Sequence, residues 1–214
     1  MCSSDLITVT QGGKTGWEFD VSENTFTDKR DGKTYKTVKI GEQVWMAENL
    51  AYLPSVEGGH IGSRTTPYYY VYDYNGKDVT AAKATANYTT YGVLYNWPAA
   101  MNACPTGWHL PSEDEWEELT DFVGSNHGTK LKAKSGWKSN GNGTDDYGFS
   151  ALPGGFRDYN GVFYWVGYYG DWWSSTEFVA TNACSRSMSS DYGSVTRGSN
   201  NKEYGCSVRC LRDN

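Results

Sequence analysis

The sequence predicts an α+β fold in a single domain, and three observations predict it. One helix is written plainly between Ser112 and Gly124, with a capping residue at each end and an apolar face between them. One hairpin alternates polar and apolar residues on both sides of Gly41-Glu42. Beyond Gly124 the segments are short, aromatic and punctuated by glycine, and no helical period runs through them. A length of 214 residues suits one domain with a substantial core.

Residues 1–16 are short of large apolar side chains, and 1–24 read as an N-terminal tether before a domain over 25–214. From Lys33 to Ile40 polar and apolar residues alternate, with Tyr35 out of phase. Gly41-Glu42 turns the chain, and Gln43 to Ala47 returns as a second strand. Residues 54–90 read as a long irregular insertion containing the Tyr68–Tyr74 tract, with a short hairpin around Asn75-Gly76. Asn96 caps a short helix through Pro98-Ala99-Ala100-Met101, where proline is tolerated in the first turn. Ser112 and Glu115 then form a capping box. Trp116, Leu119, Phe122 and Val123 share one face, and the acidic first turn complements the helix dipole. After Gly124 we expect short strands, long loops and little further helix.

Composition excludes two function classes. The chain has 19 Lys+Arg against 25 Asp+Glu, a net charge of −6 with no basic block, so nucleic acid is not a partner. Mean hydropathy is −0.66, and no run approaches the ~18 apolar residues of a membrane helix. Tyr (17) and Trp (9) far outnumber Phe (7). Such polar-tipped rings suit half-buried positions and contact surfaces. That excess requires an explanation.

Several strings, in order, resemble a known family. They are Val38-Lys39-Ile40-Gly41 with Gln43-Val44-Trp45-Met46-Ala47-Glu48-Asn49-Leu50, Tyr91-Gly92-Val93-Leu94-Tyr95-Asn96-Trp97, and Cys104-Pro105-Thr106-Gly107-Trp108-His109-Leu110-Pro111-Ser112. Gly143 to Gly155, Trp173-Ser174-Ser175-Thr176-Glu177 and Ser207-Val208-Arg209-Cys210 complete the set. Together they resemble the Fibrobacter succinogenes major paralogous domain over roughly residues 25–213. The string from His109 to Trp116 is also similar to a signature of formylglycine-generating enzymes. That second resemblance implies a C-type-lectin-like fold, with small twisted antiparallel sheets, two helices and long functional loops.

The five cysteines show no CxxC spacing, and their late clustering in an acidic, Gly- and Tyr-rich chain reads as an exported, oxidised protein. Four lie in the body of the chain and allow three pairings. The lectin-like resemblance implies Cys104–Cys210 and Cys184–Cys206. Cys184 and Cys206 both depart from the family pattern, which also suggests that they are partners. Cys2, followed by Ser3-Ser4-Asp5, resembles the lipidated start of a mature bacterial lipoprotein. Membrane association is therefore expected only through a lipid anchor at Cys2, at the cell envelope or surface.

Catalytic chemistries are weakly supported. A formylglycine-generating centre needs two thiolates for copper. Cys184-Ser185-Arg186-Ser187 resembles the start of its motif, but Ser189 stands where the second Cys belongs. A relative of these enzymes with an altered or lost copper centre is therefore the alternative reading. No nucleophile elbow accompanies the three histidines, and His109, just before a helix, reads as a satisfied structural residue. Asp145-Asp146 are too close in sequence to flank a sugar ring and read as a turn held by Asx side chains. The alternative is a structural Ca²⁺ site at Asn142, Asp145 and Asp146. The lectin triplets Glu-Pro-Asn and Trp-Asn-Asp are absent.

Nine aromatics fall between Phe156 and Trp173 with no helix or strand period. Phe156, Trp172 and Trp173 flank family blocks and read as core. Rigid rings among small polar residues make good contact surfaces. The expected ligand contacts are therefore Tyr159, Asn160, Phe163, Tyr164, Trp165, Tyr168, Tyr169 and Asp171. In a lectin-like fold a second tract returns beside them, adding Arg186, Ser189, Asp191, Tyr192 and Arg197. The function expected is a non-catalytic, exported, adhesin- or lectin-like module for a glycan or surface protein.

Overall fold

A computed structural model describes residues 24–59 and 62–213; Cys2 lies outside the described residues. The described residues open with β1 (Thr25–Thr27), which lies along β2 (Thr34–Ile40) with Phe26 opposite Tyr35. The predicted hairpin forms between β2 and β3 (Gln43–Met46), with Val38 opposite Trp45 and Ile40 opposite Gln43. Residues 54–90 hold more structure than the sequence suggested. β4 (Tyr69–Tyr70) is followed by α1 (Val79–Lys83) and α2 (Ala86–Tyr91), capped by the Asp78 and Thr85 side chains. No strand pair forms around Asn75-Gly76; the turn there leads into α1 instead.

Then come β5 (Leu94–Tyr95) and α3 (Trp97–Ala100), the short helix expected from Asn96. Asn96 is fully buried. Its Oδ1 accepts from the amides of Ala99 and Tyr68, and its Nδ2 donates to the carbonyls of Ser63 and Thr66. One cap thus fixes both a helix start and the incoming loop. After β6 (Trp108–His109), α4 (Glu113–Val123) carries the predicted capping box between Ser112 and Glu115. Its buried face is Trp116, Leu119, Thr120 and Val123; Phe122 is 57% exposed and leans on Gly41 and Tyr147 instead. α5 (His127–Leu131) follows, so the described residues hold five helices rather than two.

The rest is strand: β7 (Phe156–Arg157), β8 (Phe163–Tyr164), β9 (Tyr169–Val179), β10 (Asn182–Ser189), β11 (Thr196–Asn201), β12 (Cys206–Ser207) and β13 (Leu211–Arg212). β9 and β10 are longer than expected, with 11 and 8 residues. A five-stranded sheet runs β1-β2-β3-β13-β6 and a six-stranded sheet β11-β10-β9-β12-β5-β4; β7 and β8 pair separately. The last strand thus returns between β3 and β6.

Strand alternation divides the apolar residues between two cores. Trp173 enters one with Tyr35, Met46, Tyr95 and Val208, while its neighbour Trp172 enters the other with Ile40, Trp45, Trp116 and Phe149. The out-of-phase Tyr35 is explained: it serves a different core from Ile40 on the same strand. Its hydroxyl accepts from the Ala51 amide.

Cys104 and Cys210 are bridged across a separation of 106 residues, tying the segment before β6 to the last strand. Cys184 and Cys206 are both free and buried, which corrects the expected second bridge. β9 runs between the strands that carry them, so their backbones stand roughly 9–10 Å apart, past the ~7 Å limit for a disulfide. They also face opposite ways. Cys206 packs in the core with Trp173 and Ala183, while Cys184, next to Ala183, points toward Glu113 and Arg197.

Candidate functional site

The β7–β8 hairpin and the turn after it gather the aromatic tract, with Phe156 opposite Tyr164 on one side of the hairpin and Phe163 opposite Arg157 on the other. Asp158 builds the hairpin turn: its Oδ1 accepts from the amides of Asn160 and Val162, and its backbone amide donates to the Val162 carbonyl. Beneath it, buried Arg157 donates to the Gly59 carbonyl at 2.6 Å and lies 4.1 Å from the centre of the Tyr70 ring. Burial lowers the pKa of this guanidinium. The hairpin is therefore anchored from below by a cation spread over an aromatic face.

Around this anchor the rings pack in three groups. Phe156 stacks on Tyr204 at 5.8 Å and 7°, and Tyr159 continues the stack at 6.1 Å. Tyr164 leans on Phe156, and Phe163 meets Tyr72 at 5.2 Å. Trp165 meets both Tyr168 and Tyr169 edge-on, and the Lys138 ammonium lies 4.9 Å from the Tyr168 ring centre. Tyr159 and Trp165 are more than half exposed, at 55% and 53%. Trp165 adopts φ +65°, a left-handed backbone uncommon for so bulky a side chain. Its carbonyl accepts from the amides of Tyr168 and Tyr169, and Gly167 bonds Pro153 and Lys138, so the turn is fully tied. Asn160 sits exposed at the hairpin tip.

The other expected contacts lie elsewhere. Asp171 is buried in β9 and accepts from the Ser187 hydroxyl through one oxygen, while the other has no partner among the described residues. Burial pushes this carboxyl up to about 6, against the lowering effect of Ser187. Asp171 does not reach the face. Arg186 is buried too, donating from Nε to Glu113 Oε1 at 2.7 Å and from Nη2 to the Glu113 carbonyl. Arg197, directly opposite it on β11, pairs with the second Glu113 oxygen. Two like charges face each other across the strands there, and one buried carboxylate at the start of α4 offsets the repulsion. Burial raises the pKa of the Cys184 thiol beside them, and Glu113 adds to this.

Ser189 is buried; its hydroxyl accepts from the Asp191 amide and its carbonyl from Lys132 Nζ. Asp191 and Tyr192 are exposed on the loop that Lys132 holds through the Tyr192 carbonyl. The second tract thus borders the aromatic rings where Ser189 opposes Tyr169, where the Ser190 amide donates to the Tyr168 carbonyl, and at Tyr204. Tyr204, at the far end of that tract, is the ring that sequence reasoning missed.

Asn142 and Asp145 act as backbone clamps. Asn142 accepts from the Trp137 amide, and Asp145, at φ +48°, accepts from both the amide and hydroxyl of Ser150. This is the Asx-held turn, and among the described residues no three His, Cys, Asp or Glu side chains are grouped to hold a metal ion. His109 lies between Asp213 (2.6 Å from Nδ1) and Glu115 (2.9 Å from Nε2). Burial pulls its pKa down, but the two carboxylates outweigh that and raise it. Among the described residues no helix is long and apolar enough to cross a membrane.

A family model described as the Fibrobacter succinogenes major domain matches residues 38–212. No curated protein and no solved structure matches.

Proposed function

The chain belongs to the Fibrobacter succinogenes major domain family, and we propose that it is a non-catalytic, exported binding module presenting the Phe156–Tyr169 face, with Tyr204, to a glycan. Trp165 carries the reading. Exposing an indole while holding its backbone at φ +65° opposes stability on both counts. Strain kept at a site that does not need it for packing points to use of the side chain. In the neighbouring stack Tyr159 and Tyr164 are exposed, at 55% and 38%. Flat apolar faces with polar tips suit pyranose rings, which have apolar C–H faces and hydroxyl edges. A C-type-lectin-like arrangement belongs to the same proposal. Its support is the return of β13 between β3 and β6 and the Cys104–Cys210 link. The disulfide also supports export, and the lipid anchor at Cys2 rests on the sequence pattern.

An array of immobilised glycans, probed with the oxidised chain and with a Tyr159→Ala/Trp165→Ala variant, tests the reading. The wild type is retained on a subset of glycans and the variant loses about tenfold or more in affinity with unchanged circular dichroism. Equal retention of both proteins removes this face from the mechanism. Capture of a surface protein with no glycan retained replaces the glycan by a protein partner.

A further inference from the structure

Beside the aromatic face lies an open groove of about 440 Å³ lined by Gly59, Tyr72, Asp73, Asn75 and the Gly161–Phe163 segment. The volume falls in the range of ~300–1,000 Å³ common for small-molecule sites. We propose that this groove is a subsite for one uncharged pyranose unit, deepening the glycan reading, on which it rests.

The aromatic wall is fixed in advance. The Tyr72 ring meets Phe163 at 5.2 Å and its hydroxyl bonds to the Val166 backbone. Behind it Gly155, at φ +64°, passes so close that a Cβ there would sit 2.9 Å from the ring. The Asn75 side of the lining is held by a second close approach, where a Cβ on Gly58 would lie 2.0 Å from the Asn75 carbonyl oxygen. A ligand entering such a groove does not have to order its walls, which removes one of the main costs of binding.

The polar groups are also uncommitted. The side chains of Asp73 and Asn75 are exposed and make no hydrogen bond or ion pair to the described residues. Asp73 is held at φ +59°, a conformation that Asp and Asn tolerate better than most residues. A carboxylate accepts from two hydroxyls at once and an amide both donates and accepts. Together with an aromatic wall they match a ring bearing adjacent hydroxyls. The same carboxylate, in a chain of net charge −6, disfavours uronic acids and other anionic sugars.

The test uses the full oxidised chain titrated with methyl β-glucopyranoside, methyl β-galactopyranoside and methyl β-glucuronide, read by chemical shifts of aromatic and backbone groups. At least one neutral glycoside shifts Tyr72, Phe163 and Gly161 signals, and the glucuronide binds several-fold more weakly. Asp73→Asn, which keeps the backbone preference, weakens the neutral glycoside about tenfold and narrows its advantage over the glucuronide. Glycosides that shift no groove signals, or that bind Asp73→Asn as tightly as wild type, overturn the subsite. If array retention still depends on Trp165 in that case, the subsite fails and the glycan-binding face stands. If no glycan is retained at all, both fail together.

Discussion

Asp171→Asn should stabilise the protein at neutral and alkaline pH, and the gain should vanish in acid. The carboxyl is buried in β9, bonded through one oxygen to Ser187, and among the described residues the other oxygen has no partner and no cation lies against it. Burial moves its pKa from 3.8 to about 6. Because the folded value exceeds the unfolded one, the neutral acid is the form that the fold prefers. Its stabilising contribution is complete below the unfolded pKa and is lost as pH rises through about 6. A shift of about two units corresponds to ~3 kcal/mol between the two ends of that window. Asparagine keeps the size and an oxygen for the Ser187 hydroxyl but cannot ionise. Urea unfolding of both proteins, with the disulfide intact, should show near-equal stability around pH 3.5 and a variant up to ~3 kcal/mol more stable near pH 8. A difference between the two that does not change with pH would refute the burial argument. A variant that is less stable at pH ~8 would mean that the carboxylate has a favourable partner.

Two further outcomes follow from the same geometry. Replacing Cys104 and Cys210 by Ala opens a link spanning 106 residues and should cost about 4–5 kcal/mol by the chain-entropy relation, measured by urea unfolding; a loss under ~1 kcal/mol would contradict it. The His109 imidazole should titrate above its usual 6.5 by NMR, and Asp213→Asn should bring it down. Since that pKa is raised in the fold, the pairing stabilises below the unfolded value and its contribution fades as pH rises through the folded one. An unchanged titration in Asp213→Asn would assign the shift to Glu115 instead.

What could be read from the sequence was what is decided locally. Ser112 and Glu115 are three residues apart and cap the same helix, and Asn96 caps its own. α1 and α2 escaped because their signal is capping without periodicity: α1 buries Ala82 alone and α2 buries no residue, so no apolar stripe marks them. Phe122 fitted the apolar face by spacing, yet lies at its margin against Gly41. The Cys184–Cys206 expectation failed on strand order, a non-local property that placed β9 between them. The candidate site divides in the same way. The tract Tyr159–Tyr169 is contiguous and was visible as composition. Tyr204 completes its stack from the turn between β11 and β12, and Arg186 and Asp171 point inward by strand alternation. Much of the Tyr68–Tyr74 excess is structural, since Tyr70 covers Arg157 and Tyr69 packs edge-on against Tyr95.

Contact between the exposed aromatic rings and a ligand can be read at the tryptophan indoles. Those of Trp45, Trp97, Trp137, Trp172 and Trp173 donate to protein acceptors, whereas Trp165 stands 53% exposed. Indole N–H NMR signals, assigned by single Trp→Phe variants, can be followed while adding an oligosaccharide retained on the array. The Trp165 signal should move saturably while those five hydrogen-bonded indoles stay still. Saturable binding that leaves Trp165 unmoved and shifts another indole would contradict it.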